Sequence, residues 1–222
     1  MIKHSLKINK AILWVTVYLG VMIFYTALDV IVWRNLFPQF SDWLNIITII
    51  ICVSGFIYVL KRTGYQMEIL SNITLVGILL SIGCSVLFYI LLDNCLDPIF
   101  ERIFPISEQN YQDTIQTLIK SPITSLLQVC IIAPIIEEIL MRGFVLNGLK
   151  NTYGMVIALV VSSILFAILH FNMVQTLSAL IVGIILGLLY IKTDCIFCCI
   201  IAHCGYNLLS YMVMVYPYIS IS

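Results

Sequence analysis

The sequence predicts an all-α fold: a polytopic membrane helical bundle of about seven transmembrane helices. Hydrophobic residues make up 62% of the 222 positions and charged residues only 10%, against roughly 45–50% and ~25% in an ordinary globular domain. Mean hydropathy is +1.09. The apolar residues also gather into runs of about 20, the length that carries a helix across ~30 Å of hydrocarbon. A soluble domain of this size leaves about 30% of its unfolded surface exposed, so water is the wrong solvent for such a composition. A soluble enzyme and a disordered chain are both excluded. Lys plus Arg and Asp plus Glu balance at 11 each, so no net field attracts nucleic acid.

The runs lie at about 11–33, 43–60, 69–92, 122–149, 154–171, 174–191 and 195–216. The first is too long for a cleavable signal peptide and has no small-residue cleavage site before Asp29 and Trp33. A polar connection, 93–121, carries Pro98, Pro105 and the acidic residues Asp93, Asp97, Glu101, Glu108 and Asp113. Within it, Tyr111 to Lys120 predicts a short interfacial helix, and Ser121-Pro122 makes a cap and first turn for the next run. Positive charge orients the bundle. With the N-terminus in the cytoplasm, Lys3, Lys7, Lys10, Lys61, Arg62, Lys150 and Lys192 fall inside, against Arg34, Arg102 and Lys120 outside. The acidic connection and the C-terminus are then external. Trp14, Trp33 and Trp43 suit interface anchors, and Gly183-x-x-x-Gly187 suits close helix approach within the bundle or across a homodimer. Most cysteines sit in apolar runs as small hydrophobes. Cys195-x-x-Cys198-Cys199 has no second pair at zinc-finger spacing.

Charged groups at mid-membrane cost at least ~2.5–3.5 kcal/mol each on insertion scales, so each demands a reason. The charged and imidazole groups within the runs are Asp29, Glu137, Glu138, Arg142, His170 and His203, nearly all in the last four helices. His4, the remaining histidine, is in the N-terminal tail. Glu138 and Arg142 stand i,i+4 and can pair on one helix face. Glu137 points ~100° away, outside that pair. Two adjacent carboxylates in low dielectric resist joint ionisation. With Glu138 held by a cation, Glu137 is left as a base for water. The alternative is a buried triad that only fixes packing. Phe166 with His170, and His203 with Asn207, repeat the i,i+4 spacing. Singly, such groups are often interhelical glue. Together they supply base, orienter and oxyanion donors.

Glu137-Glu138-x-x-x-Arg142, Phe166-x-x-x-His170 and His203-x-x-x-Asn207 resemble, in order, the three motifs of the CPBP intramembrane protease family. That family joins the type II CAAX prenyl proteases with bacterial bacteriocin-processing and self-immunity proteins. The resemblance covers about 122–210, which divides the single integral domain into peripheral helices and an outer loop at 1–120 and a catalytic four-helix core at 121–216. It implies that Glu137 activates the attacking water, assisted by His170, while Glu138 and Arg142 hold the motif helix. His203 and Asn207 would donate to the tetrahedral oxyanion, a contribution of about 3–4 kcal/mol per donor. Phe166 would pack beside His170. No cofactor is expected. Zinc is the alternative, with Glu138, His170 and His203 as ligands. The implied substrate is a membrane-associated or prenylated CAAX-like peptide, or a bacteriocin or signal peptide. The implied setting is multi-pass in a bacterial cell membrane, as monomer or homodimer, with lipid and a peptide or lipidated protein as partners and no nucleic acid.

Other intramembrane protease chemistries lack their residues: there is no His-Glu-x-x-His, no Gly-x-Ser-x-Gly and no second intramembrane Asp beside Asp29. Two non-hydrolytic readings remain, a bacteriocin immunity protein that only binds and a proton-coupled transporter using Glu137, Glu138 and His170 as a relay. A transporter more usually shows repeat symmetry. Depth poses a problem as well. Glu137 and Asn207 fall near mid-span and His170 near the outer end of its helix, although a catalytic set must meet at one depth. Either that helix is shifted, its connection dips into the membrane, or the cavity opens outward.

Overall fold

The computed structural model describes residues 5–219, so Lys3 and His4 lie outside the described residues. Helices follow one another throughout: α1 (Ile8–Leu36), α2 (Ser41–Lys61), α3 (Leu75–Ile103), α4 (Pro105–Lys120), α5 (122–153), α6 (Met155–Ile168), α7 (Met173–Thr193) and α8 (Ile196–Ile219). Among the described residues there is no strand. The all-α polytopic bundle is as the composition requires. Large apolar side chains cover its outside, Leu75 and Val156 at 74% and 75% exposure among them. Only hydrocarbon accepts such a surface at no cost.

Long apolar helices account for five of the seven expected crossings. Among the described residues five helices, α1, α2, α3, α7 and α8, are long and apolar enough to cross a membrane. Helix α6 has 14 residues, about 21 Å at 1.5 Å per residue, which falls short of the hydrocarbon thickness. Helix α5 carries the charged motif through the interior, with Ile139 to Leu146 all buried.

The polar connection at 93–121 is not a loop. Helix α3 continues through Asp93, Asp97 and Glu101 to Ile103, and α4 occupies the whole of Pro105–Lys120. The two prolines act differently. Pro98 is accommodated because the turn before it is widened: the Asp97 N–H reaches back five residues to Leu92 O, so the ladder is already out of α register where the missing N–H falls. Pro105 does break the chain, by pushing Phe104 to φ −122°, ψ 64°. Trp14 is partly buried. It packs edge-on against Phe56 and Phe144, ring centroids 6.0 and 6.1 Å away, inside the bundle. Asp29 is buried and paired with Arg34 at 2.8 Å.

Small residues set the spacing of the helices that build the site. On α3, Gly77, Ser81 and Ser85 recur every four residues against α8. A Cβ at Gly77 would come within 2.8 Å of Cys198 Sγ, and Ser85 Oγ donates to Ala202 O at 2.9 Å. Such small faces let membrane helices approach until backbones nearly touch. Gly183 and Gly187 do the same for α7 against α6, where a Cβ at Gly183 would lie 3.1 Å from Ser163 Cα. The glycine stripe is used inside the bundle.

Candidate active site

The centre of α5 alternates between two helical registers. The Ala133 N–H reaches Gln128 O and the Asn147 N–H reaches Arg142 O, each five residues back. Ordinary α-helical turns at 133–138 lie between these widened stretches, and they carry Glu137 and Glu138. Widened turns of this kind are frequent at functional sites because they re-aim side chains along an otherwise regular helix.

Glu138 and Arg142 are fully enclosed, at 0% and 1% exposure. Arg142 Nη1 donates to Glu138 Oε1 at 3.0 Å. Arg142 Nη2 donates to Gly183 O at 3.2 Å, tying α5 to α7 through a carbonyl left open by the missing side chain. The guanidinium carbon lies 4.7 Å above the Phe166 ring, a desolvated cation–π contact of about 2 kcal/mol. Among the described residues, Arg142 Nε and Glu138 Oε2 have no hydrogen-bond partner.

From α8, His203 enters between the two glutamates. Its Nδ1–H donates to Glu138 Oε1 at 2.9 Å, while Nε2 stands 4.0 Å from Glu137 Oε2. That second separation is too long for a direct hydrogen bond and is the span one water bridges. Phe166 lies between the imidazoles, edge-on to His170 at 5.3 Å and to His203 at 5.7 Å. It also meets the Arg142 cation, so one ring spaces three polar groups.

Where α6 stops bears on the depth of His170. The helix ends at Ile168, so His170 belongs to the connection before α7 and not to a span. There, its Nδ1–H donates to Phe166 O at 3.2 Å, and Asn172 caps α7 by accepting from the Val174 and Gln175 N–H groups. The connection after this short helix brings the imidazole to the same cavity as Glu137.

Glu137, Phe166, His170, His203 and Asn207 all line one cavity of about 410 Å³. Glu138 and Arg142 do not; they stand behind its wall. The six residues singled out by sequence thus separate into four facing the cavity and two supporting them. Asn207 uses its amide on the protein itself, donating to Val129 O at 2.9 Å.

Further residues at the cavity come from the region expected to be a loop. Asp93, Asp97 and Glu101, four apart on α3, line it as well. Tyr206 O–H donates to Asp93 at 2.9 Å, and Ser178 donates to Asp97. Their spacing of four was the visible signal. Among the described residues, no group of three or more His, Cys, Asp or Glu side chains is arranged to hold a metal ion. Cys195, Cys198 and Cys199 are free, buried thiols.

A buried carboxylate–imidazole centre opening onto a cavity inside an apolar bundle defines a class: polytopic membrane proteins with a polar, hydrolase-like site. The comparison narrows it. Residues 119–209 match the family model described as type II CAAX prenyl endopeptidase Rce1-like, in agreement with the CPBP resemblance carried by the three motifs. The match takes in all seven motif residues and supports an integral membrane protease of the CAAX type, acting on a peptide or protein substrate. No curated protein and no solved structure matches the chain.

Proposed function

We propose that the protein is an intramembrane endopeptidase in which Glu137 activates water against a peptide bond of a membrane-anchored peptide. The observation that carries this is the convergence of Glu137, His170 and His203 on one cavity, with Glu138 and Arg142 behind it. Glu137 takes a proton from water, and the resulting hydroxide attacks the carbonyl carbon. The oxyanion meets His203 Nε2–H, whose imidazolium is stabilised by the Glu138 carboxylate on Nδ1. Collapse breaks the C–N bond as the proton carried by Glu137 passes to the leaving nitrogen. His170 donates through Nδ1 to Phe166 O, leaving Nε2 as an acceptor that helps hold the attacking water while Glu137 takes its proton.

Zinc ligation by Glu138, His170 and His203 fits less well, because Glu138 stands behind the cavity wall that His170 and His203 line, and among the described residues these side chains do not form a group arranged to hold an ion. Purified protein in liposomes is expected to keep its peptidase activity after exhaustive chelation. Activity lost on chelation and restored by stoichiometric zinc would replace this mechanism. The N-terminus is proposed to face the cytoplasm of a bacterial cell.

The cavity also suggests which peptides it takes. Asp93, Asp97, Glu101 and Glu137 line it, and among the described residues no Lys or Arg does. A wall rich in acidic side chains favours cationic peptides over acidic ones. Asp97→Asn/Glu101→Gln is expected to lower kcat/KM for a Lys-containing peptide about tenfold more than for its neutral analogue, or ~1.4 kcal/mol of discrimination. Equal losses on both peptides would remove the charge argument. Helix α3 lies outside the matched segment, so this preference is a property of the chain's own periphery.

A further inference from the structure

The geometry points to Asn207 as a positioning residue, which plugs a gap that Pro134 opens in the backbone ladder of α5. The inference rests on the protease reading only for its activity measurement. In the widened turn, the Ala133 N–H bonds Gln128 O, so the next donor in the same register would be residue 134, onto Val129 O. Pro134 has no N–H to give. The donor that would serve Val129 in α register is that of Ala133, which is already committed. Val129 O is therefore without a helix partner, in a bundle where an unsatisfied carbonyl costs several kcal/mol. Asn207 Nδ2 fills the place at 2.9 Å.

The bond joins the two helices whose register the reaction depends on. Val129 lies two turns before Glu137 on α5, and Asn207 one turn after His203 on α8. Fixing this point fixes how His203 meets both glutamates, at 2.9 Å to Glu138 and 4.0 Å to Glu137. The bond takes one of the two N–H groups of the amide and so fixes where the amide stands at the cavity wall. Asn207 thus acts through the backbone of α5.

The test uses the full chain in detergent and liposomes, with Tm, kcat and KM measured for Asn207→Ala, Pro134→Ala and the double variant. Asn207→Ala should lower Tm and reduce kcat by about 10–100-fold with little change in KM, as expected when reacting groups are misplaced by up to an ångström. In the Asn207→Ala background, Pro134→Ala supplies a backbone N–H for Val129 O. It should recover Tm and about tenfold in kcat. A double variant no more active than Asn207→Ala would overturn the inference and return Asn207 to direct contact with the substrate. If Pro134→Ala does not fold, Asn207→Asp decides: it keeps the shape but has no donor, so its Tm should fall at least as far as that of the Ala variant, and a wild-type Tm refutes the plug. The Tm series needs no substrate. A wild-type protein that cleaves no peptide yet shows this Tm pattern would sink the protease reading and leave the plug standing.

Discussion

Glu137→Gln is expected to lower kcat by about 10³–10⁴-fold while the protein stays folded. General-base catalysis by a positioned side chain is worth typically 10²–10⁴, and the upper part of that range applies where no second base can take over. His203 cannot, because its Nδ1 is held by Glu138, and in the proposed step its Nε2 serves the oxyanion. The amide has the shape of the carboxylate but does not accept the proton from water. It also leaves the scaffold intact, since Glu137 takes no part in the Arg142–Gly183 link and touches the polar network only through the 4.0 Å approach of His203. The measurement is single-turnover cleavage of a membrane-anchored peptide by variant and wild type at matched Tm. The same substitution separates the rival readings. An immunity protein that only binds a toxin protects equally well after Glu137→Gln, so undiminished protection alongside undetectable wild-type proteolysis would favour binding. Proteolysis that survives in the variant would end the glutamate mechanism.

How far the site was legible in the sequence depends on how local each relationship is. The Glu138–Arg142 pair and the outward turn of Glu137 were legible because i,i+4 geometry holds within one helix whatever packs around it. The convergence of α5, α6 and α8 was legible only as a motif resemblance, since no spacing within one helix says which faces of different helices meet. The acidic face of α3 was missed because Pro98 and Pro105 together suggest a loop, although only Pro105 breaks the helix. His170 was placed inside a span because nothing in an apolar run marks where its hydrogen-bond ladder stops. The partner of Asn207 was hidden for another reason. It is a backbone carbonyl, which every residue has, and only the five-residue offset from Val129 to Pro134 distinguishes it. Trp14 shows the limit of composition rules: its aromatic ring fits an interface belt and a core equally well, and nothing in its own run marks the contacts it makes with Phe56 and Phe144.

The second large effect is on stability and belongs to Arg142. Arg142→Met retains most of the side-chain volume but removes the one permanent cation that touches Glu138 among the described residues, at a position 1% exposed. Three losses coincide: the 3.0 Å bond to Glu138, the 3.2 Å bond to Gly183 O, and the contact with the Phe166 ring. Breaking one side of a buried ion pair costs about 3–5 kcal/mol, because the remaining charge is left uncompensated. At ~2–4 °C per kcal/mol for a chain of this size, Tm in detergent should fall by roughly 6–20 °C. The decisive comparison is with Glu138→Gln/Arg142→Met. Removing both charges leaves no orphan carboxylate at that position, so the double variant should be more stable than Arg142→Met alone, with a coupling energy in the upper part of the usual range of about 0.5–3 kcal/mol. An Arg142→Met protein with wild-type Tm would show that the pair is not structural. The double variant should nevertheless be inactive, because His203 then has no carboxylate on Nδ1 to hold its imidazolium beside Glu137. Recovered stability without recovered activity is the result that would distinguish a catalytic support from a packing triad, since a triad that only fixes the helices would return both together.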